Sequence, residues 1–305
     1  MSDIKLFRTN GSVEELSGTS VALEKSLQTL FEQNLESLLG VRFLASEHTT
    51  GAVHGGRIDT LGIDENNCPV ILEYKRATNE NVINQGLYYL DWLLDHRADF
   101  QLLVQKALGT TVAEEIDWSS PRLICIAGDY TKFDQHAVQQ INRHIELFRY
   151  KRYGDELLLL ELVNVPNDSK SVAVPDEKMP SDAKPSGYKT FETYLNQADT
   201  GMQDLYQGFR DYMLALGDDI HTNRLNLYEA YKRIKNVASI VIQPQKKDFL
   251  VYIYDPGTVD YSALSNVKNV GKSGHWGTGD LEIRLSSIED LKQVEPLLLQ
   301  AYERS

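Results

Sequence analysis

The stretch from 164 to 189, NVPNDSKSVAVPDEKMPSDAKPSGYK, limits what this chain can fold into more than any other segment. It holds Pro166, Pro175, Pro180 and Pro185, four of the chain's nine prolines. Proline has no N–H to give and a fixed φ, so neither a helix nor a central strand runs through such a segment. Apolar periodicity stops here, and Ser, Asp and Lys take over, which is the composition of an extended linker. The chain is therefore expected to divide into a domain at 1–163, a linker at 164–189 and a smaller domain at 190–305. A length of 305 residues suits two domains. Hydrophobic residues at 42% and charged residues at 25% exclude a disordered or collagen-like chain.

No run approaches the ~20 apolar residues that a membrane-spanning helix needs. The densest, Leu157 to Val163, is interrupted by Glu161. The start, Met1-Ser2-Asp3-Ile4-Lys5, lacks the apolar core of a signal peptide. Cys68 and Cys125 lie far apart without CxxC spacing. These features predict a reduced, cytoplasmic protein with no membrane partner and no cysteine metal site. The 31 basic and 44 acidic residues leave a net charge of −13. That is not the basic footprint of a protein that coats nucleic acid. It is compatible with a local basic patch around an acidic site charged by a metal.

The first domain mixes helix and strand. Leu23, Leu27, Leu30, Phe31, Leu35, Leu38 and Leu39 make one helical stripe over 21–39, stopped by Gly40. Strands are expected at 41–45, 57–63 and 69–75, the last two joined by the turn Asp64-Glu65-Asn66-Asn67. A helix follows at 80–105, then a buried strand at 122–127, a helix at 134–146 and a hairpin at 147–163 turning at Gly154-Asp155. The second domain reads as helix at 200–217, a short strand or hairpin at 220–232, strands at 237–242, 249–254 and 281–285, and a terminal helix at 287–304. The fold class is α/β: a mixed sheet flanked by helices, followed by a smaller α+β domain.

The chemistry gathers on two of these strands. Glu73 and Lys75 sit two apart in Ile71-Leu72-Glu73-Tyr74-Lys75 and share one face. Asp59, in Arg57-Ile58-Asp59-Thr60-Leu61, approaches Glu73 on that face if the strands pair across the 64–67 turn. Converging carboxylates repel unless a cation joins them, and hard oxygen donors favour Mg²⁺ or Mn²⁺. Such an ion activates water and offsets phosphate charge, and a neighbouring lysine orients the water. An isolated Glu-x-Lys is an ordinary exposed ion pair; the carboxylate fourteen residues earlier gives it chemistry.

The arrangement Asp59-x13-Glu73-Tyr74-Lys75 resembles the PD-(D/E)xK nuclease motif, in its NucS-like and RecB-like branches. The matching text is Gly55-Gly56-Arg57-Ile58-Asp59, then Val70-Ile71-Leu72-Glu73-Tyr74-Lys75-Arg76, then Gln85-Gly86-Leu87-Tyr88-Tyr89. The likeness covers about 20–105, and Ile58 stands where the motif's proline would be. It implies a restriction-endonuclease-like sheet and a Mg²⁺- or Mn²⁺-dependent nuclease acting on nucleic acid, DNA first. It also implies that Asp59, Glu73 and the Tyr74 carbonyl hold the metal, that Lys75 positions or activates the water, and that Gln85 orients Lys75 or a phosphate. Gln85 and Tyr89 stand at i and i+4 on one helical face. Arg57, Arg76 and Tyr89 are expected to contact the nucleic acid. The family's first-helix acid, which would complete or assist the metal shell, falls on Glu24 by spacing and context, with Glu32 the alternative. A homodimer is expected where both strands of a duplex are cut.

In the second domain, Gly274-His275-Trp276-Gly277-Thr278-Gly279-Asp280 resembles the signature of an uncharacterised C-terminal domain often joined to such nuclease domains, in a layout sometimes labelled a predicted transport protein. No membrane segment supports transport. His275 and Trp276 are candidates for stacking on a base, and the bland alternative is a tight glycine loop. Arg149 and Lys151 share a strand face, which reads either as a phosphate contact or as a charged edge strand. Two other functions remain open beside the nuclease: a catalytically idle binding module on the same fold, and a hydrolase of small phosphoesters.

Overall fold

A computed structural model describes residues 4–20, 23–76, 82–164, 189–271 and 277–305. The expected linker thus lies outside the described residues apart from its two end positions. By contacts the chain forms two compact units. One comprises Met1–Asp64, Pro69–Ile116 and Pro121–Asn167, the other Glu65–Cys68, Asp117–Ser120 and Asp168–Ser305.

The first unit opens with a small hairpin, β1 (Leu6–Arg8) and β2 (Glu14–Leu16), then α1 (Glu24–Gln33) and α2 (Leu35–Leu39). One helix was expected over 21–39. The chain breaks at Asn34, whose φ of −130° is not helical, and Gly40 ends α2 in the left-handed conformation at φ 64°. Next come β3 (Val41–Thr49), α3 (Gly51–His54), β4 (Arg57–Asp64), β5 (Pro69–Lys75) and α4 (Val82–Asp95). The helix expected over 80–105 is likewise two, α4 and α5 (Arg97–Leu108), separated at His96, and α6 (Thr110–Glu114) follows. Then come β6 (Arg122–Ala127), α7 (Lys132–Gln140), β7 (His144–Tyr153) and β8 (Leu157–Leu162). The helix expected over 134–146 ends early. Thr131 and Asp134 cap its start, and His144–Glu146 join the sheet, where they pair with Arg122–Ile124.

These strands make one six-stranded mixed sheet in the order β3-β4-β5-β6-β7-β8. β5, β6 and β7 run parallel, and the outer pairs are antiparallel. Parallel neighbours need crossovers, which α4 to α6 and α7 supply. Helices on a parallel sheet bury both strand faces, so β5 and β6 read as continuous apolar runs. Tyr74 packs towards Phe31 of α1, with ring centroids 5.8 Å apart. On α4, Gly86 lies against Leu123, where an added Cβ would come within 2.5 Å of Leu123 Cδ1.

The second unit carries α8 (Phe191–Gln197), α9 (Thr200–Ala215), β9 (His221–Arg224), β10 (Tyr228–Lys232), β11 (Asn236–Gln243), β12 (Asp248–Ile253), β13 (Val267–Asn269), β14 (Leu281–Leu285) and α10 (Ile288–Arg304). Its sheet is antiparallel throughout, in the order β13-β14-β12-β11-β10-β9. Phe191, Leu205, Phe209 and Met213 from the first two helices, and Val294, Leu297 and Leu298 from α10, form one core with Ile240, Val251 and Ile283. The sequence reading lacked α8 and β13, elements of seven and three residues. Among the described residues no helix is long and apolar enough to cross a membrane.

Candidate active site

The hairpin of β4 and β5 builds the site where its ladder ends. Thr60↔Leu72, Leu61↔Ile71, Gly62↔Val70 and Ile63↔Pro69 pair as backbone neighbours. One step further out, side chains take over. The Asp59 N–H donates to Glu73 Oε1 at 3.2 Å, and the Tyr74 N–H donates to Asp59 Oδ2 at 3.0 Å. Each acid therefore satisfies a backbone donor on the other's strand. The expectation that Asp59 and Glu73 converge on one face agrees with this geometry.

Their environment is drier than expected for an open cleft. Glu73 is 0% exposed, and among the described residues its Oε2 has no hydrogen-bond partner. Burial, reinforced by the charge of Asp59, pushes the Glu73 carboxyl up to about 9. Burial also raises Asp59, against the opposing pull of the Tyr74 N–H and Lys75. Glu73 therefore holds its proton at neutral pH unless a cation replaces it.

Lys75 and the first-helix acid meet at the rim. Glu24 Oε2 lies 3.8 Å from Lys75 Nζ, and Glu24 Oε1 accepts from the Arg76 N–H at 3.1 Å. Glu32 is occupied elsewhere: its Oε1 accepts from Thr60 Oγ1 at 2.7 Å and from Gln28 Nε2 at 2.9 Å. Of the two candidates, the helix brings Glu24 to Lys75 and turns Glu32 into a bracing contact.

Gln28 was missed by sequence reasoning. It is buried, and its Nε2 lies 2.7 Å from the Asp59 carbonyl and 3.1 Å from Ser46 Oγ. Its signal was present: Glu24, Gln28 and Glu32 recur every four residues on one face of α1. Glu47 was also missed. It sits opposite the site on β3 with φ at 53°, where the β3–β4 register skips it. Its carboxylate accepts from Lys25 Nζ at 2.8 Å and pairs with Arg57. The Lys25 hydrogen bond holds it below the ordinary carboxylate range.

Tyr89 closes the other side. Its hydroxyl accepts from the Arg57 N–H at 3.2 Å and from Gln85 Nε2 at 3.2 Å. Gln85 and Tyr89 do share one face, but the described bond of Gln85 is to Tyr89 and not to Lys75. Gly56 gives the Tyr89 ring its clearance, since an added Cβ would sit 2.5 Å from Tyr89 Cε1.

The remaining candidates are not drawn in. Arg149 is 6% exposed, and its guanidinium binds Asp129 at 2.8 Å and Glu161 at 2.9 Å. It is a buried brace within the sheet, neither a phosphate contact on an open face nor a solvated edge charge. Lys151 is half-buried two positions along β7. His275 and Trp276 lie outside the described residues.

The residues fit a small hard cation. Two carboxylates converge, and the unpartnered Glu73 Oε2 is a buried oxygen in need of positive charge. Among the described residues no group of three or more His, Cys, Asp or Glu gathers closely enough to hold a metal. A two-carboxylate set suits an ion that keeps several of its waters, as Mg²⁺ does.

No protein-family model matches the chain. A protein of Haemophilus influenzae (strain ATCC 51907 / DSM 11121 / KW20 / Rd), described as uncharacterized, is 33% identical over 305 residues, covering 98% of this chain and 99% of that one. The chain belongs to the family of that Haemophilus protein. Among solved structures, an EndoMS–double-stranded DNA complex is 20% identical at a TM-score of 0.28, covering 47% of this chain and 49% of that one. A repair endonuclease from Pyrococcus abyssi is 18% identical at a TM-score of 0.29, with coverage of 44% and 50%. The chain thus spans about half the length of each of these structures. TM-scores this low do not mark a shared fold, so the chemistry of the family member described here rests on its own geometry.

Proposed function

We propose that this family member is a divalent-metal-dependent nuclease that hydrolyses phosphodiester bonds, with DNA the expected substrate and the C-terminal unit in recognition. The interlocked Asp59 and Glu73, with Lys75 beside them, carry this reading. Asp59, Glu73 and the Tyr74 carbonyl would hold Mg²⁺ or Mn²⁺. When bound, the ion acidifies its water and offsets charge on the phosphate. Glu73, raised by burial, would hold such an ion as its carboxylate, with the proton released to solvent. Glu24 orients the Lys75 ammonium and completes the acidic rim, and Lys75 aligns the attacking water with phosphorus. Tyr89 fixes the Arg57 backbone and the Gln85 amide at the site's edge, while Arg57 and Arg76 present exposed cations to the substrate backbone. The protein would act in the cytoplasm as a homodimer, one site for each strand of a duplex.

The test is a cleavage panel with single-stranded, duplex and branched DNA, modified DNA and RNA, in Mg²⁺, Mn²⁺ or EDTA. Cleavage by wild type that EDTA abolishes and Lys75→Ala cuts at least about a hundredfold is the expected result. Activity that survives in Lys75→Ala and Asp59→Asn, with unchanged circular dichroism, refutes the assignment. A second reading, an idle nucleic-acid- or protein-binding module, is favoured by the count of only two converging carboxylates among the described residues. It predicts silence in the panel together with no calorimetric Mg²⁺ binding.

A further inference from the structure

β8 ends the first unit's sheet with a strand that lacks the usual defences of an edge. It reads Leu157-Leu158-Leu159-Leu160-Glu161-Leu162, with no lysine, proline or glycine. Natural edges are blunted by such residues, because an open row of N–H and C=O groups recruits another strand. Its one charge, Glu161, is already bound by Arg149. The Leu157 side chain is 47% exposed, and the other five residues are partly exposed.

The hydrogen-bond pattern shows which groups face outward. The Val163 N–H donates to the Leu147 carbonyl at 2.9 Å, and the register continues as Arg149↔Glu161, Lys151↔Leu159 and Tyr153↔Leu157. Antiparallel pairs alternate between bonded and non-bonded. The backbone groups of 157, 159 and 161 therefore point to β7, and those of Leu158, Leu160 and Leu162 point away. Among the described residues no backbone or side-chain group bonds to those outward N–H and C=O groups.

We propose that β8 is the dimer interface of this chain, pairing antiparallel with β8 of a second copy about a two-fold axis centred on Leu160. Outward groups must meet outward groups, so even positions face even positions. Leu160 then pairs with Leu160, and Leu158 with Leu162. Leu159 stands opposite Glu161, and Leu157 opposite Val163. No two like charges face each other in this register, and the partly exposed Leu158, Leu160 and Leu162 meet leucines of the other copy, which is the self-complementarity an isologous contact requires. Two six-stranded sheets become one continuous sheet. The proposal rests on the homodimer in the functional reading and is independent of catalysis.

Sedimentation velocity of the full chain over a wide concentration range provides the test. Wild type is expected to be a dimer. Leu160→Pro removes an outward N–H at a position where an edge strand tolerates proline. It should weaken the dimer by at least about tenfold, since the Leu160–Leu160 pair exchanges two hydrogen bonds and the substitution removes both. Leu157→Lys changes an exposed side chain, keeps the monomer fold and should weaken the dimer likewise. A dimer that both variants leave intact overturns the β8 interface while leaving the homodimer standing. A monomeric wild type overturns both. Cleavage assays on the same samples are read separately.

Discussion

The first unit's sheet carries a buried acidic cluster at each end, and the two are built on opposite terms. At one end Arg122, 0% exposed, binds Glu146 through Nε at 2.7 Å and Nη2 at 2.9 Å, and Asp64 through Nη1 at 2.9 Å. His144 adds a 2.9 Å contact to the same Glu146. Burial by itself would raise the Glu146 carboxyl, but the Arg122 guanidinium and His144 hold it well below the ordinary range. At the other end Asp59 and Glu73 are given backbone N–H groups and the edge of one lysine, and both are raised. A buried acid that serves the fold is saturated with donors. One left short of positive charge is raised, and the proposed cation would supply what is missing.

The strongest break of that contrast is at the saturated end. Arg122→Met leaves Asp64 and Glu146 buried without their cation, and a buried pair broken on one side loses about 3–5 kcal/mol. Thermal unfolding should show a large fall in Tm or no folded protein. A gentle loss comparable to a surface substitution would refute the structural role.

Lys75→Ala tests the poised end. The expected outcome is a 10²- to 10³-fold drop in cleavage, the scale for removing one positioned electrostatic group, with Tm nearly unchanged.

Glu73→Gln sharpens the comparison through pH. The folded carboxyl titrates at about 9 against 4.5 for the free group, so the folded state keeps a proton that the unfolded chain has lost. Wild-type stability is then complete below pH 4.5 and declines as pH rises towards 9. The amide has no such dependence. Glu73→Gln should therefore match wild type near pH 4.5 and exceed it by about 1–3 kcal/mol at neutral pH, while abolishing cleavage. A gap that shrinks with rising pH would contradict the raised carboxyl.

Tyr89→Phe is the mildest. It strips an acceptor from the Arg57 N–H and the Gln85 amide, each still able to reach water, and should cost about 1 kcal/mol and roughly tenfold in rate. Loss of Mg²⁺ binding in this variant would place Tyr89 closer to the metal than its bonds indicate.

The hairpin at the site was readable because an alternating β4 and an apolar, β-branched β5 flank a polar turn, and Asp59 and Glu73 fall on matched positions. Periodicity also gave the strands of both sheets, apart from short β1, β2 and β13. It misjudged three helices. Asn34 and His96 interrupt apolar stripes that continue in register on either side, so the stripe alone does not show the break. His144 and Glu146 carry polar side chains that suit a helix surface, and the partner that buries them, Arg122, lies on another strand. The same limit hid Gln28 and Glu47. The place of Gln28 on the Glu24–Glu32 face was legible, but its bond to the Asp59 carbonyl and those of Glu47 to Lys25 and Arg57 are long-range contacts that local spacing does not encode. Arg149 looked like a surface cation because its partners are distant in sequence, Asp129 in the loop after β6 and Glu161 on β8.

The clearance between Gly56 and the Tyr89 ring has a consequence for how members of this family can diverge. The glycine that leads Gly56-Arg57-Ile58-Asp59 is held by the bulk of a side chain on another element. The two positions are thus constrained to change together. Gly56→Ala on its own should jam the ring and displace the Arg57 backbone, whereas Gly56→Ala combined with Tyr89→Leu should relieve the clash while forfeiting the hydroxyl. A larger residue at 56 requires the Tyr89 ring to shift, and a shifted ring gives up the anchor for Arg57 and Gln85.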